Sequence, residues 1–227
     1  GAVAGIGIVA GTECVIYGND PTVLAGAMHT YSAKKWTRAM EISRVNKIPY
    51  IQFVESSGGD LRMGGGKGEG SKRGSILGAG HFAESGRTFY DVTELSKLRI
   101  PTISIVFGSS TAGGAYQPGM SDYNIFIKKQ SKVFLGGPPL VKMATGEESD
   151  DETLGGGQMH AEVSGLADYL AEDEMDALRI GREVVSHLNW RKEGKKPKLA
   201  PDSPILDSED LLGLVDSDLK KPFDVRE

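Results

Sequence analysis

The chain has 227 residues, 31 of them glycine and one of them cysteine, and a net charge of −5. That length buries a real core as one large domain, or as a domain with a tail. The acidic balance excludes the basic footprint of a general nucleic-acid binder, the lone Cys14 excludes an internal disulfide or a cysteine-rich zinc site, and no apolar run reaches the ~20 residues of a membrane span.

Taken in chain order, residues 2–18 predict two short strands, the second being Glu13-Cys14-Val15-Ile16-Tyr17-Gly18, before the turn signal Asn19-Asp20-Pro21. Ser32 is the expected N-cap of a helix over 33–46, with Trp36, Ala39, Met40 and Val45 near one face. A buried strand is expected over 48–54. It empties into Glu55-Ser56-Ser57-Gly58-Gly59-Asp60. Residues 60–80 are dense in glycine, carry Lys67, Lys72 and Arg73, and read as a mobile loop.

A helix follows over roughly 81–98, and Pro101-Thr102 opens a strand over 102–107. That strand feeds Ser109-Ser110-Thr111-Ala112-Gly113-Gly114-Ala115-Tyr116. Further strands are expected at 123–128 and 132–135, then Gly136-Gly137-Pro138-Pro139 and helices at 138–144, 150–154 and 172–188. The last helix opens with Glu172-Asp173-Glu174, suited to a positive helix start. Residues 189–207, rich in Lys, Pro and Asp, read as a linker or surface crossing. Strand–helix alternation predicts an α/β domain. Gly1 falls inside an alternating strand pattern and Asp224 looks like an N-cap, so the chain reads as a segment of a longer polypeptide.

The chemistry lies in the two strand-to-glycine turns, at Gly58-Gly59 and Gly113-Gly114. Small residues leave backbone N–H groups unshielded, and two such donors aimed at one point stabilise an oxygen that gains charge during a reaction. The bland alternative is that these glycines only allow tight turns and close packing. His160 sits among glycines, but no second His or Cys stands at ligand spacing, so it reads as a structural histidine and no metal site is expected. His29, His81 and His187 are scattered, and Cys14 reads as a small buried hydrophobe. No phosphate-binding loop of the Gly-x-x-x-x-Gly-Lys-[Ser/Thr] kind is present.

Several stretches together carry a resemblance. They are Ser57-Gly58-Gly59, Thr111-Ala112-Gly113-Gly114-Ala115-Tyr116, Met120-Ser121-Asp122, Phe134-Leu135-Gly136-Gly137-Pro138-Pro139-Leu140-Val141-Lys142 and Ala144-Thr145-Gly146-Glu147. Leu154-Gly155-Gly156, His160, Ser164-Gly165, Ala171-Glu172-Asp173 and Asp218-Leu219-Lys220-Lys221-Pro222-Phe223-Asp224 continue it. The chain resembles the N-terminal half of the carboxyltransferase β subunit of biotin-dependent acyl-CoA carboxylases, within the crotonase superfamily. Pro138-Pro139 points to the methylcrotonyl-type subgroup, from which the insert around 64–80 departs.

The resemblance implies an α/β fold of the crotonase-like β-β-α spiral, with residues 1–188 as an acyl-CoA-binding domain. Residues 189–227 become the linker and connector toward a C-terminal carboxyltransferase domain. It implies an enzyme that moves a carboxyl group from carboxybiotin to an acyl-CoA through a thioester enolate. Gly113, Gly114 and Gly59 become the catalytic donors. Gly58, Ala112, Ala115 and Tyr116 line the substrate, Tyr116 standing roughly where some crotonases keep a catalytic glutamate. Lys34, Lys35 and Arg38 become candidates for the CoA phosphates, against the plainer reading of a solvated basic turn.

No Met-Lys-Met biotinylation site is present, Val141-Lys142-Met143-Ala144 being only an echo of one. Biotin must then arrive on a partner: the implied partners are a biotin carboxylase and biotin carboxyl carrier α subunit, and further β subunits pairing active-site halves into a hexamer. Nucleic acid and membrane are not expected partners. The expected location is cytoplasmic, or the mitochondrial matrix in a eukaryote. Two other readings stay open here: the α subunit of a biotin-dependent acyl-CoA decarboxylase of the sodium-pump type, and a non-catalytic CoA-binding module.

Overall fold

The computed structural model describes residues 1–59, 74–193, 203, 207–213, 218 and 221. Two strands, β1 (Ala2–Val9) and β2 (Thr12–Asn19), form an antiparallel hairpin in which Val9 faces Thr12. The sheet then continues in parallel through β3 (Tyr50–Ser56), β4 (Thr102–Thr111), β5 (Tyr123–Ile127) and β7 (Tyr169–Ala171), with β6 (Lys132–Phe134) pairing the far end of β4. Parallel strands need helical crossovers and are covered on both faces, which is why β3 and β4 are almost continuously buried.

One face is covered by α1 (Thr30–Asn46) and α2 (Gly74–Lys97). Tyr17, Tyr50, Trp36, Met40 and Leu95 pack there, and the rings of Tyr17 and Trp36 stack at 6.2 Å. The opposite face takes Ile51, Ile103, Ile105 and Ile125 against α7 (Glu174–His187). A side chain at Gly181 would come within 2.8 Å of Ile105, so glycine there lets α7 lie close to the sheet. Between β6 and β7 run α4 (Pro138–Thr145), α5 (Asp151–Gly155) and the single turn α6 (Gly157–Met159). The chain divides into two compact units, Gly1–Glu193 and Gly194–Glu227. The described part of the second holds a 3-10 helix over Ser208–Gly213.

Four sequence expectations change. The first helix starts at Thr30 with His29 as its N-cap. Ser32 sits three residues further in, where its Oγ accepts the His29 N–H at 2.9 Å. Val45 is 66 % exposed, and Ser43, with Ile42 beside it, takes its place on the inner face. Residues 74–80 belong to α2 rather than to a loop, while residues 60–73 of the expected mobile loop lie outside the described residues. The strand expected over 102–107 runs on to Thr111, so its last residues are already part of the glycine motif. The connector residues around Asp224, and residues 194–202 and 204–206 of the expected linker, also lie outside the described residues.

Candidate active site

β3 and β4 are parallel neighbours in register from Tyr50↔Thr102 to Val54↔Val106, and after a shift Ser56 lies opposite Ser110. Their C-terminal ends therefore release the two glycine turns side by side. The first turn is Ser57-Gly58-Gly59. The second is a 3-10 turn over Ala112–Ala115 that runs straight into α3 (Tyr116–Gly119).

Each turn is fixed by its neighbours. Ser56 Oγ donates to the Gly26 carbonyl at 2.8 Å and accepts the Gly58 N–H at 3.2 Å. The Met28 N–H donates to the Gly58 carbonyl at 2.7 Å, and the Ser57 N–H to the Ala25 carbonyl at 3.0 Å. Gly58 has φ of +88°, a conformation costly for any side chain. Ala112 holds a left-handed φ of 49° at the bend into the second turn. Such strain persists only where the surroundings over-determine it.

The four glycines divide into two kinds. A Cβ on Gly58 would stand 3.0 Å from the Thr111 carbonyl and 3.1 Å from the Ala112 methyl, and one on Gly114 would stand 2.9 Å from the Ser56 carbonyl. These two let the turns touch. A Cβ on Gly59 or Gly113 would meet nothing within 4 Å among the described residues, which leave the space beside this second pair open.

The backbone donors divide the same way. In a 3-10 turn each N–H reaches the carbonyl three residues back, which commits Gly114 to Thr111 and leaves Gly113 over. The Gly58 N–H is taken by Ser56, while that of Gly59 has no acceptor among the described residues. Within the turn the Gly114 N–H points back toward Thr111, and its missing side chain admits Ser56.

Tyr116 is 44 % exposed and its ring meets Phe89 of α2 edge-on at 5.0 Å, while Ala112 is exposed and Ala115 buried. The start of α1 lies at the glycine end of the sheet, since Met28 bridges Gly59 and the Lys35 Nζ donates to the Ala2 carbonyl at 2.7 Å. Arg38 is bound to Glu41 at 2.7 Å. Lys34 is exposed and forms no ion pair among the described residues, which makes it the most available of the three cations.

Glu55 and Cys14 are among the groups whose acidity burial changes. Burial, then the charge of Glu174, raises the Glu55 carboxyl above the usual range. It stands on the α7 side of β3, against Gly108. Burial, then Glu13, pushes the Cys14 thiol up to about 11, which leaves it unreactive at neutral pH.

His160 is buried between the Val133 carbonyl, 2.8 Å from Nε2, and Ser164 Oγ, 2.7 Å from Nδ1. The carbonyl can only accept, so Nε2 carries the proton and Nδ1 accepts from Ser164. His160→Leu is expected to cost about 1–3 kcal/mol, because it strands the Val133 carbonyl. Denaturant unfolding reads that loss. Turnover per folded molecule should stay normal, and its disappearance in a fully folded variant would move His160 into the chemistry.

Sequence reasoning gave no weight to Ser56, Gln52 and Ser104. The available signal was polarity inside apolar runs, as in Ile51-Gln52-Phe53 and Ile103-Ser104-Ile105.

Residues 1–227 match the carboxyl transferase domain family along their whole length. A probable biotin-dependent acyl-coenzyme A carboxylase beta2 subunit of Mycobacterium tuberculosis is 53 % identical over 225 residues, 99 % of this chain and 40 % of that one. The mitochondrial methylcrotonoyl-CoA carboxylase beta chain of Dictyostelium discoideum is 41 % identical over 227 residues, 100 % of this chain and 37 % of its own. A solved transcarboxylase 12S, described as a hexamer assembly with hydrolyzed methylmalonyl-coenzyme A bound, aligns with a TM-score of 0.71 at 27 % identity over 100 % of this chain and 41 % of that one.

Fold and site together define a crotonase-like α/β domain of the carboxyltransferase class. The chain belongs to the carboxyl transferase domain family. It spans about 40 % of the length of the curated relatives it matches. None of the helices among the described residues is long and apolar enough to cross a membrane.

Proposed function

We propose that this chain is the acyl-CoA-binding half of a biotin-dependent carboxyltransferase, working on a thioester through its enolate. The observation that carries the reading is the placement of Gly59 and Gly113, two glycines that no described residue crowds and whose N–H groups have no acceptor among the described residues, at the ends of adjacent parallel strands. Peptide donors held there by packing need no reorganisation as charge grows on the thioester oxygen, and one such donor is worth roughly 3–4 kcal/mol of barrier. Gly58 and Gly114 set the spacing, Ala112, Ala115 and Tyr116 line the acyl group, and Lys34, with Lys35 and Arg38 beside it, faces the CoA phosphates.

Biotin, when delivered by a biotin carboxylase and carrier partner, supplies the carboxyl group, and this chain's residues hold and polarise the acceptor. Tyr116 stands roughly where some crotonases keep a catalytic glutamate, and this reading assigns the substrate proton to the biotin-carrying half. Leu135, Leu140 and Met143 are exposed, 63 %, 51 % and 78 %, in the segment that follows the pairing of Thr111 with Phe134. That apolar surface beside the site supports a second half docking there, from a C-terminal domain or a neighbouring β subunit in a hexamer. The acyl group of the methylcrotonyl type and a cytoplasmic or matrix location complete the proposal.

The isolated segment is expected to bind CoA thioesters weakly and to move no carboxyl group to free biotin. Calorimetry with an acyl-CoA and a carboxyl-transfer assay on the isolated segment check this. Robust transfer by the segment alone would sink the two-half reading. In the full-length protein, acyl-CoA-dependent turnover with the biotin partner excludes a non-catalytic CoA module.

A further inference from the structure

We infer that Gln52 is a positioning residue for the Gly113 donor, a role that rests on the carboxyltransferase reading above. Gln52 lies on β3 directly opposite Ser104 of β4, and both are buried, at 1 % and 0 % exposure. The Gln52 Nε2 reaches Ser104 Oγ at 2.8 Å, the Gln117 carbonyl at 3.0 Å and Ser121 Oγ at 3.1 Å. Ser121 Oγ lies 2.9 Å from the same carbonyl, and Ser104 Oγ lies 2.8 Å from Ser121 Oγ. One backbone oxygen of α3 is thereby gripped from both strands that carry the glycine turns.

The grip falls where it can set the second turn. α3 continues the 3-10 turn without a break, so fixing the Gln117 carbonyl fixes the direction of the helix whose leading residues are Gly113 and Gly114. The carbonyl can only accept, which fixes the amide with Nε2 toward it. Gln52 Oε1 is then left buried with no partner among the described residues. A half-satisfied buried carboxamide costs free energy that an apolar side chain of the same length would not. Stability alone would favour Met at this position. What the carboxamide adds is a tie from the first turn's strand to the second turn's helix across one hydrogen-bonded distance.

The test uses the full-length protein with its biotin partner and three variants: Gln52→Met, Ser121→Ala and Gly113→Val. For each, the melting temperature, kcat, KM for acyl-CoA and the dissociation constant of a non-reacting acyl-CoA thioether are measured. Gln52→Met is expected to fold, to bind the thioether within about twofold of the parent, and to lose about tenfold in kcat, because an ångström-scale misplacement of a donor acts on the transition state. Ser121→Ala is expected to lose about threefold in kcat on the same pattern.

A kcat per folded molecule within twofold of the parent in Gln52→Met overturns the inference, provided Gly113→Val is impaired. If Gln52→Met does not fold, the same criterion applied to Ser121→Ala decides. Normal kcat in Gly113→Val instead removes the functional reading itself, and the inference with it.

Discussion

Replacing Gly113 with Val in the full-length enzyme is expected to lower kcat by about a hundredfold or more while the protein stays folded. A Cβ at this position meets nothing within 4 Å among the described residues, and Gly113 is not among the residues with positive φ, so the backbone admits a side chain. What the side chain occupies is the space in front of the Gly113 N–H. The two methyl groups of Val would push the thioester oxygen away from that donor, and the loss is greatest once the oxygen carries enolate charge. Binding of a non-reacting CoA thioester should therefore change far less than turnover. Thermal unfolding and kcat measured on the same sample check the prediction, and near-normal kcat in the folded variant would defeat the assignment.

Gly114→Val should behave in the opposite way. Its Cβ would stand 2.9 Å from the Ser56 carbonyl and 3.0 Å from the Ser56 Cβ, and neither is the flexible end of a side chain. Relief requires β3 and the second turn to separate, an overpacking cost of about 1–3 kcal/mol. For a domain of this size that lowers the melting temperature by roughly 2–10 °C. Activity should fall with the folded fraction and with the widened gap between the turns. A Gly114→Val protein with parental melting temperature and a hundredfold kcat defect would assign the donor role to Gly114.

The contrast between these neighbours shows where the sequence stops being informative. Two glycines after an apolar strand announce a turn with bare peptide groups, and both turns stand where the sequence puts them. Which glycine faces Ser56 and which faces open space depends on the register of β3 against β4. That register includes the shift between Val54 and Ser56, which no local pattern encodes. His29 and Ser32 form another such pair: either polar group can cap a helix start, and the structure uses both, reciprocally. Glycines at 74, 78 and 80 each disfavour helix by up to about 1 kcal/mol, yet α2 begins at Gly74. Val45 fits a helical stripe in outline, but Ile42 and Ser43 are what turn inward. Gln52 was visible as a polar residue in an apolar strand, and its partners on β4 and after α3 were not, because they come 52 and 69 residues later.

The donors proposed here are peptide groups, which neither titrate near neutrality nor change rotamer. A half-site made of them keeps the same charge from mildly acidic to mildly basic solution, and Glu55, the carboxyl that burial has made less acidic, stands on the α7 side of the sheet. The pH profile of the complete enzyme would then report on whatever faces this chain. Exchanging that opposite half between relatives should carry the profile with it, while the thioester-binding half stays silent.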